Sequence, residues 1–176
     1  VKEILSFAFK NTGLTSINID GVEKLDFESF ADNDLTELYL PKSLKDMNTG
    51  RIFAGNRNLT KLTVAYDMMQ RGMMTPLHYA IGEYIEKQND CVAARITDLT
   101  VIAPYGPDEE VDRDRAPYLE FVGYRKLSSG YVDYGADVND YGRADTYKNV
   151  IAPAGFAWFV GLENITIGDG YEFVGL

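Results

Sequence analysis

The sequence predicts a solenoid of short parallel strands joined by irregular and short helical turns, interrupted by one helical and one β-rich insertion. Three observations carry that expectation. Leu14-Thr-Ser-Ile17-Asn-Ile19, Leu35-Thr-Glu-Leu38-Tyr-Leu40 and Leu59-Thr-Lys-Leu62-Thr-Val64 share apolar residues at a first position, three further on and five further on. Their starts at 14, 35 and 59 are 21 and 24 residues apart. An aromatic anchor, Phe9, Phe30 or Phe53, sits before each start. A unit this short cannot bury its apolar face alone, so neighbouring units must stack to share one core.

Val1-Lys-Glu-Ile4-Leu-Ser-Phe-Ala-Phe9 aligns with Val22-Glu-Lys-Leu25-Asp-Phe-Glu-Ser-Phe30 at a constant shift of 21. It reads as the back half of a unit whose strand would precede residue 1, so the chain is expected to be a piece of a longer protein. In the regular units each strand leads to a turn, a second apolar pair (Val22/Leu25, then Leu44/Met47) and the aromatic. Asn, Asp and Gly fill the joints at Asn11-Thr-Gly13, Asp32-Asn-Asp34 and Gly55-Asn-Arg-Asn58. Such residues tolerate positive φ and bond their own backbone, which suits a tight corner. Pro41 closes its strand at a sheet edge, where a missing N–H costs least.

The period breaks after Val64. Residues 65–95 are read as an insertion with a helix: Thr75-Pro76 as N-cap and first turn, Leu77, Ala80, Ile81, Tyr84 and Ile85 on one apolar face, and Asn89-Asp90 as the stop. Met68, Met69, Met73 and Met74 are expected to fill an irregular gap under it, with a soft partner-binding patch as their alternative use. The motif returns at Ile96-Thr-Asp-Leu99-Thr-Val101 and, after a second insertion at 102–161, at Leu162-Glu-Asn-Ile165-Thr-Ile167, making five copies. Residues 118–134 read as a β-hairpin with Gly130 in its turn. The whole, 1–176, is expected to be one domain, with repeats at 1–64, 96–101 and 162–176.

These units resemble the BspA-like leucine-rich repeats of bacterial surface proteins. The best copy runs from Leu35 through Pro41, Leu44/Met47 and Ile52-Phe53 to Gly55-Asn56, with Ala8-Phe9 and Ser29-Phe30 as further anchors. The likeness is good over residues 1–64, thins to bare strand motifs at 96–101 and 162–167, and fails in both insertions. It implies a leucine-rich-repeat solenoid on a secreted or cell-surface protein, with an adhesive or protein-binding role. Fold alone does not license function.

Composition narrows the chemistry. With 17 basic and 27 acidic residues the formal charge is −10, which disfavours nucleic acid and anionic membranes as partners. No apolar run is long enough to span a bilayer. Cys91 is the only cysteine, so no internal disulfide can form. His78 is the only histidine, and a Ser/His/Asp or Cys/His nucleophile site would need it. Its place beside the apolar face of the expected helix puts it on the helix surface. Asp108-Glu-Glu-Val-Asp112-Arg-Asp114 is a carboxylate cluster that reads as a solvated loop. Asp137-Val-Asn139-Asp-Tyr141-Gly142 begins like a calcium loop. Tyr141 at its fifth position and Lys148 at its twelfth leave an Asx-turn loop as the better reading. No catalytic residue, metal ligand or cofactor is therefore expected. Asn58-Leu-Thr60 and Asn164-Ile-Thr166 fit the glycosylation pattern, both starting in expected corners.

What remains is binding. Alternation along each strand points one set of side chains outward to the concave face. One outward row is Ser16, Glu37, Lys61, Asp98 and Asn164; the second is Asn18, Tyr39, Thr63, Thr100 and Thr166. A bland alternative makes these rows solvated ladders, with Glu37 and Lys61 satisfying each other. The second insertion holds seven of the twelve tyrosines. There Tyr124, Tyr131, Tyr134 and Tyr141 with Trp158 are suited to stack on a sugar or grip a protein, or else to form a small satellite core. The function expected is a non-catalytic module that binds protein or glycan at a cell surface. The alternative is a structural spacer or stalk with no ligand of its own. Nothing in the pattern sets an oligomeric state.

Overall fold

The computed structural model describes residues 1–47, 49–68, 70, 73, 77–82, 91–110, 156 and 158–171. Among these residues the architecture is short parallel strands in two sheets, with two short helices. Strands β1 (Glu3–Ile4) and β2 (Lys24–Leu25) form a two-stranded sheet. A single bridge from Lys24 to Asp46 extends it by one position. Strands β3 (Glu37–Leu40), β4 (Lys61–Val64), β5 (Asp98–Val101) and β6 (Asn164–Ile167) form a four-stranded sheet in chain order. Helices α1 (Leu77–Ile81) and α2 (Val92–Arg95) lie between β4 and β5.

The four-stranded sheet follows from alternation. Leu38, Leu40, Leu62, Val64, Leu99 and Val101 are all at most 2% exposed, while their neighbours along each strand face outward. The register is uninterrupted: Leu38, Leu62, Leu99 and Ile165 are cross-strand partners, as are Leu40, Val64, Val101 and Ile167. A one-residue slip would turn every buried side chain out to water, so a buried face fixes this register firmly. β3 lies at one edge of the sheet, and buried Pro41 follows it directly.

Two expectations need correction here. Residues 14–19 were to be a fifth strand beside β3, but they fall outside every strand. Asn18 Oδ1 accepts a hydrogen bond from the Asp20 N–H, and the Val22 N–H reaches back to the Ile19 carbonyl, so a turn bends this segment away from extended pairing. Its apolar side chains still reach the core, with Ile19 buried and Leu14 and Ile17 half-buried against it. Ile165 and Ile167 keep the inward offsets of their equivalents yet are 53% and 38% exposed, β6 being the last strand of the sheet among the described residues.

The opposite side is built from stacked turns. Phe9, Phe30 and Phe53 lie ring on ring at 5.3 and 5.5 Å. Phe30 and Phe53 are buried, whereas Phe9 at the end of the stack is 43% exposed. Corners with positive φ recur beside them, at Phe7, Glu28 and Arg51 and again at Asn11, Asp32 and Gly55. Two buried asparagines bind successive turns together. Asn33 donates to the carbonyls of Phe9 and Phe30 and accepts from the Thr12 and Leu14 N–H groups. Asn56 donates to the carbonyls of Phe30 and Phe53 and accepts from the Leu35 N–H.

Helix α1 continues this side. The N–H groups of Arg51, Ile52 and Phe53 donate to the carbonyls of Tyr79, Ala80 and Ile81. Leu77, Ala80 and Ile81 are buried as the apolar face requires, and Met68 and Met73 pack in the same core. Tyr84, Ile85, Met69, Met74, the Thr75-Pro76 cap and the Asn89-Asp90 stop lie outside the described residues. Helix α2, with Val92 and Ala93 buried, is an element the sequence pattern did not suggest. The expected hairpin at 118–134 and the calcium-like loop at 137–142 also lie outside the described residues. No described helix is long and apolar enough to cross a membrane.

Candidate functional site

The outward face of the four-stranded sheet gathers most of the candidate residues that can be described. Glu37, Lys61, Asp98 and Asn164 sit side by side on β3 to β6, and Tyr39, Thr63, Thr100 and Thr166 form the parallel row. Strand pairing alone places them, since residues two apart on a strand share a face and partners across strands lie about 5 Å apart. Ser16 and Asn18 do not join these rows, because residues 14–19 are not in the sheet.

The charged row is polarised toward β6. Asp98 Oδ1 accepts from Asn164 Nδ2 at 2.9 Å and Oδ2 accepts from Thr97 Oγ1 at 2.8 Å. The Thr97 and Asn164 hydrogen bonds hold the Asp98 carboxyl below its usual range, with a smaller contribution from the Lys61 charge. Glu37 and Lys61 are register partners, yet no ion pair within 4 Å joins them among the described residues. The Glu37–Lys61 ion pair of the bland alternative is thus not formed, and the Lys61 charge contributes at Asp98. Asn164 lies in β6 rather than in a corner, its side-chain amide committed to Asp98. In the second row Tyr39 is 44% exposed, a phenol ring standing beside a line of threonines. The face offers an aromatic plane, a lysine, a fixed carboxylate and a band of hydroxyls, and among these groups there is no nucleophile–base pair.

A second cluster lines the carboxyl edge of the same sheet, where the chain leaves each strand. Tyr105 Oη donates to Asp67 Oδ2 at 3.0 Å, both residues being buried. Lys42 pairs with Glu109 and lies 5.5 Å from the centre of the Tyr105 ring. Tyr171 Oη donates to the Ile102 carbonyl at 3.0 Å. Burial raises the Tyr66 and Tyr171 phenols well above their ordinary values, so both stay protonated. Lys42, Tyr66, Asp67, Tyr105 and Tyr171 went unremarked in the sequence because each is a single polar residue just past a strand motif. Their common position, two to four residues beyond the last strand residue, was the available signal; Glu109 belongs to the acidic segment already noted.

The return from residues 102–161 is also anchored. Phe159 is buried, and the Trp158 and His78 rings lie 5.8 Å apart. His78 is therefore buried at 8% exposure and not on the helix surface as expected, since the returning chain covers it. Burial holds its imidazole below the usual range, in the neutral form. Tyr124, Tyr131, Tyr134 and Tyr141 lie outside the described residues. Comparison of the chain with known protein families, characterised proteins and solved structures finds no match.

Proposed function

We propose that this chain is a leucine-rich-repeat solenoid of the BspA-like kind, serving as a non-catalytic interaction module of a bacterial cell-surface or secreted protein. It binds protein or glycan through the outward face of its sheet. The observation that supports this most is the uninterrupted register of two outward rows with an exposed Tyr39 at their end. Exposed aromatic planes beside fixed polar groups are what recognition surfaces use, because the ring supplies contact area and the polar groups supply orientation. Stacked units commonly bind along such an extended face.

The test is a screen of the intact chain against glycans and surface proteins, repeated with Tyr39→Ala and Asp98→Ala. A ligand of the sheet face loses at least tenfold in affinity with each substitution, while both variants melt like the parent. A ligand indifferent to both belongs elsewhere, the Tyr-rich 102–161 segment being the next candidate. Failure of every probe would favour the spacer alternative.

A further inference from the structure

We propose that His78 and Trp158 form an acid-sensitive latch, in which proton uptake by the His78 imidazole frees the Trp158 ring and loosens the turn that leads into β6.

His78 is the only histidine of the chain and Trp158 the only tryptophan, and their rings meet at an interplanar angle of 49°. His78 Nδ1 is buried and finds no hydrogen-bond partner among the described residues. An imidazolium carries a donor on both ring nitrogens, so protonation in place would bury a charge and leave the Nδ1 donor unmatched. The Trp158 indole has a donor and no acceptor to offer it. Helix α1 itself brings one other titratable group, Tyr79. Helix α2, packed on α1, brings Arg95 and begins just after Cys91. The turn that bonds to the carbonyls of α1 brings Arg51, already paired with Glu28. The returning turn is followed by exposed Glu163. None of these contributes at His78, where burial alone keeps the imidazole neutral. A proton is accommodated only if water reaches the ring, and Trp158 stands in the way.

The returning turn is built to yield. Trp158 has a φ of 74°, a left-handed backbone that a bulky side chain keeps only when its surroundings hold it there. The His78 contact is one such hold, and the buried Phe159 is another. The Phe159 N–H donates to the Phe156 carbonyl and the Leu162 N–H to the Phe159 carbonyl, both at 3.4 Å, long for amide hydrogen bonds. Gly161 lies so close to α2 that a Cβ there would be 2.3 Å from the Ala94 carbonyl oxygen. A strained turn held by long bonds opens locally at low cost once one hold is lost. The direction with pH follows from linkage. The buried imidazole takes up its proton at lower pH than in the unfolded chain, where the pKa is about 6.5. The latch is therefore closed above about pH 6.5 and opens as the pH falls below it. Ordinary carboxylates titrate at about pH 4, so the two effects separate.

Trp158 fluorescence of the full chain, followed from about pH 8 to about pH 5, tests this. The emission maximum shifts to longer wavelength and acrylamide quenching rises as the pH falls, while far-ultraviolet circular dichroism stays constant. The same midpoint appears in the single histidine ring signal by NMR, and it lies below about 6.5. His78→Phe keeps a ring against Trp158 and gives a flat profile, with His78→Gln in its place if the first variant fails to fold. At one acid pH, amide exchange at Phe159 and Leu162 is faster in the parent than in the variant, and equal at Leu38 and Leu62. A flat profile in the parent overturns the proposal, as does a parent-like shift in the variant. Loss of intensity with neither a wavelength shift nor greater acrylamide access overturns it too, because the imidazolium then quenches a ring that has not moved. Loss of the circular dichroism signal together with the shift replaces a local latch by global unfolding and overturns it equally.

Discussion

Phe53 is fully buried between the Phe30 ring and the core, and Phe30 is sandwiched between Phe9 and Phe53. Emptying such a site forfeits the transfer energy of the ring and leaves a cavity that neighbours fill only in part. Phe53→Ala or Phe30→Ala is therefore expected to destabilise by about 3–5 kcal/mol in a chemical denaturation series. Phe9→Ala serves as the internal contrast, with a smaller loss because that ring is already partly in water. Charge at the residue scale is tested through Glu28, a buried carboxylate that Lys10 and Arg51 both contact, the Arg51 contact at 2.7 Å. The Lys10 hydrogen bond is the largest influence and, with Arg51, outweighs desolvation, so the folded-state pKa lies below the unfolded one. A group depressed in this way stabilises the fold above its unfolded pKa, about 4.3 for glutamate, and that stabilisation is lost as pH falls through the folded value. The melting temperature should accordingly drop more steeply below pH ~4.3 in the parent than in Glu28→Gln. Parallel curves for the two would remove Glu28 from the account.

At the scale of elements, legibility depended on period. β3, β4 and β5 could be read because burial imposes the same offsets on each strand, and β6 because it carries those offsets although its isoleucines are exposed, so the pattern survives long intervening segments. Residues 14–19 satisfy the same offsets and still form no strand, because local hydrogen bonding at Asn18 and Asp20 competes with extended pairing. Helix α2 escaped notice since four residues are too few to express a helical period. The corner residues were legible as corners, but not the fact that Asn33 and Asn56 each bridge two turns, because a hydrogen bond across about twenty residues leaves no local trace. The edge residues Lys42, Asp67 and Tyr105 were illegible for the same reason. Asn56 gives this scale its prediction. Asn56→Ala leaves the Leu35 N–H and the carbonyls of Phe30 and Phe53 without their side-chain partner in a buried corner. The expected cost is about 1–3 kcal/mol. In hydrogen exchange the loss should concentrate at Leu35 and the turns around residues 30 and 53, and uniform loosening of the whole chain would count against a bridging role.

For the molecule as a whole the open question is what the long segment between β5 and β6 contributes, to stability and to binding. Its ends are tied down at several points: Tyr105 to Asp67, Lys42 to Glu109, Phe159 in the core and Trp158 against His78. Cutting inside those ties and cutting outside them are thus different experiments. Replacing residues 111–155 by a short Gly-Ser linker keeps every one of these contacts, and loop-closure entropy changes only slowly with loop length. Replacing 104–159 removes Tyr105, Glu109, Trp158 and Phe159 together. It takes the Tyr105 phenol from the buried Asp67 carboxylate and uncovers His78, so a buried hydrogen bond of about 0.5–1.5 kcal/mol is lost in addition to the apolar packing of Tyr105 and Phe159. The larger deletion should therefore melt well below the smaller one. The same pair of variants locates the binding site. If the outward face of the sheet holds the ligand, the 111–155 deletion retains the parent's affinity while Tyr39→Ala does not. If affinity disappears with 111–155 and survives Tyr39→Ala, the site belongs to the Tyr-rich segment, and the sheet serves as the scaffold that holds its two ends on adjacent strands.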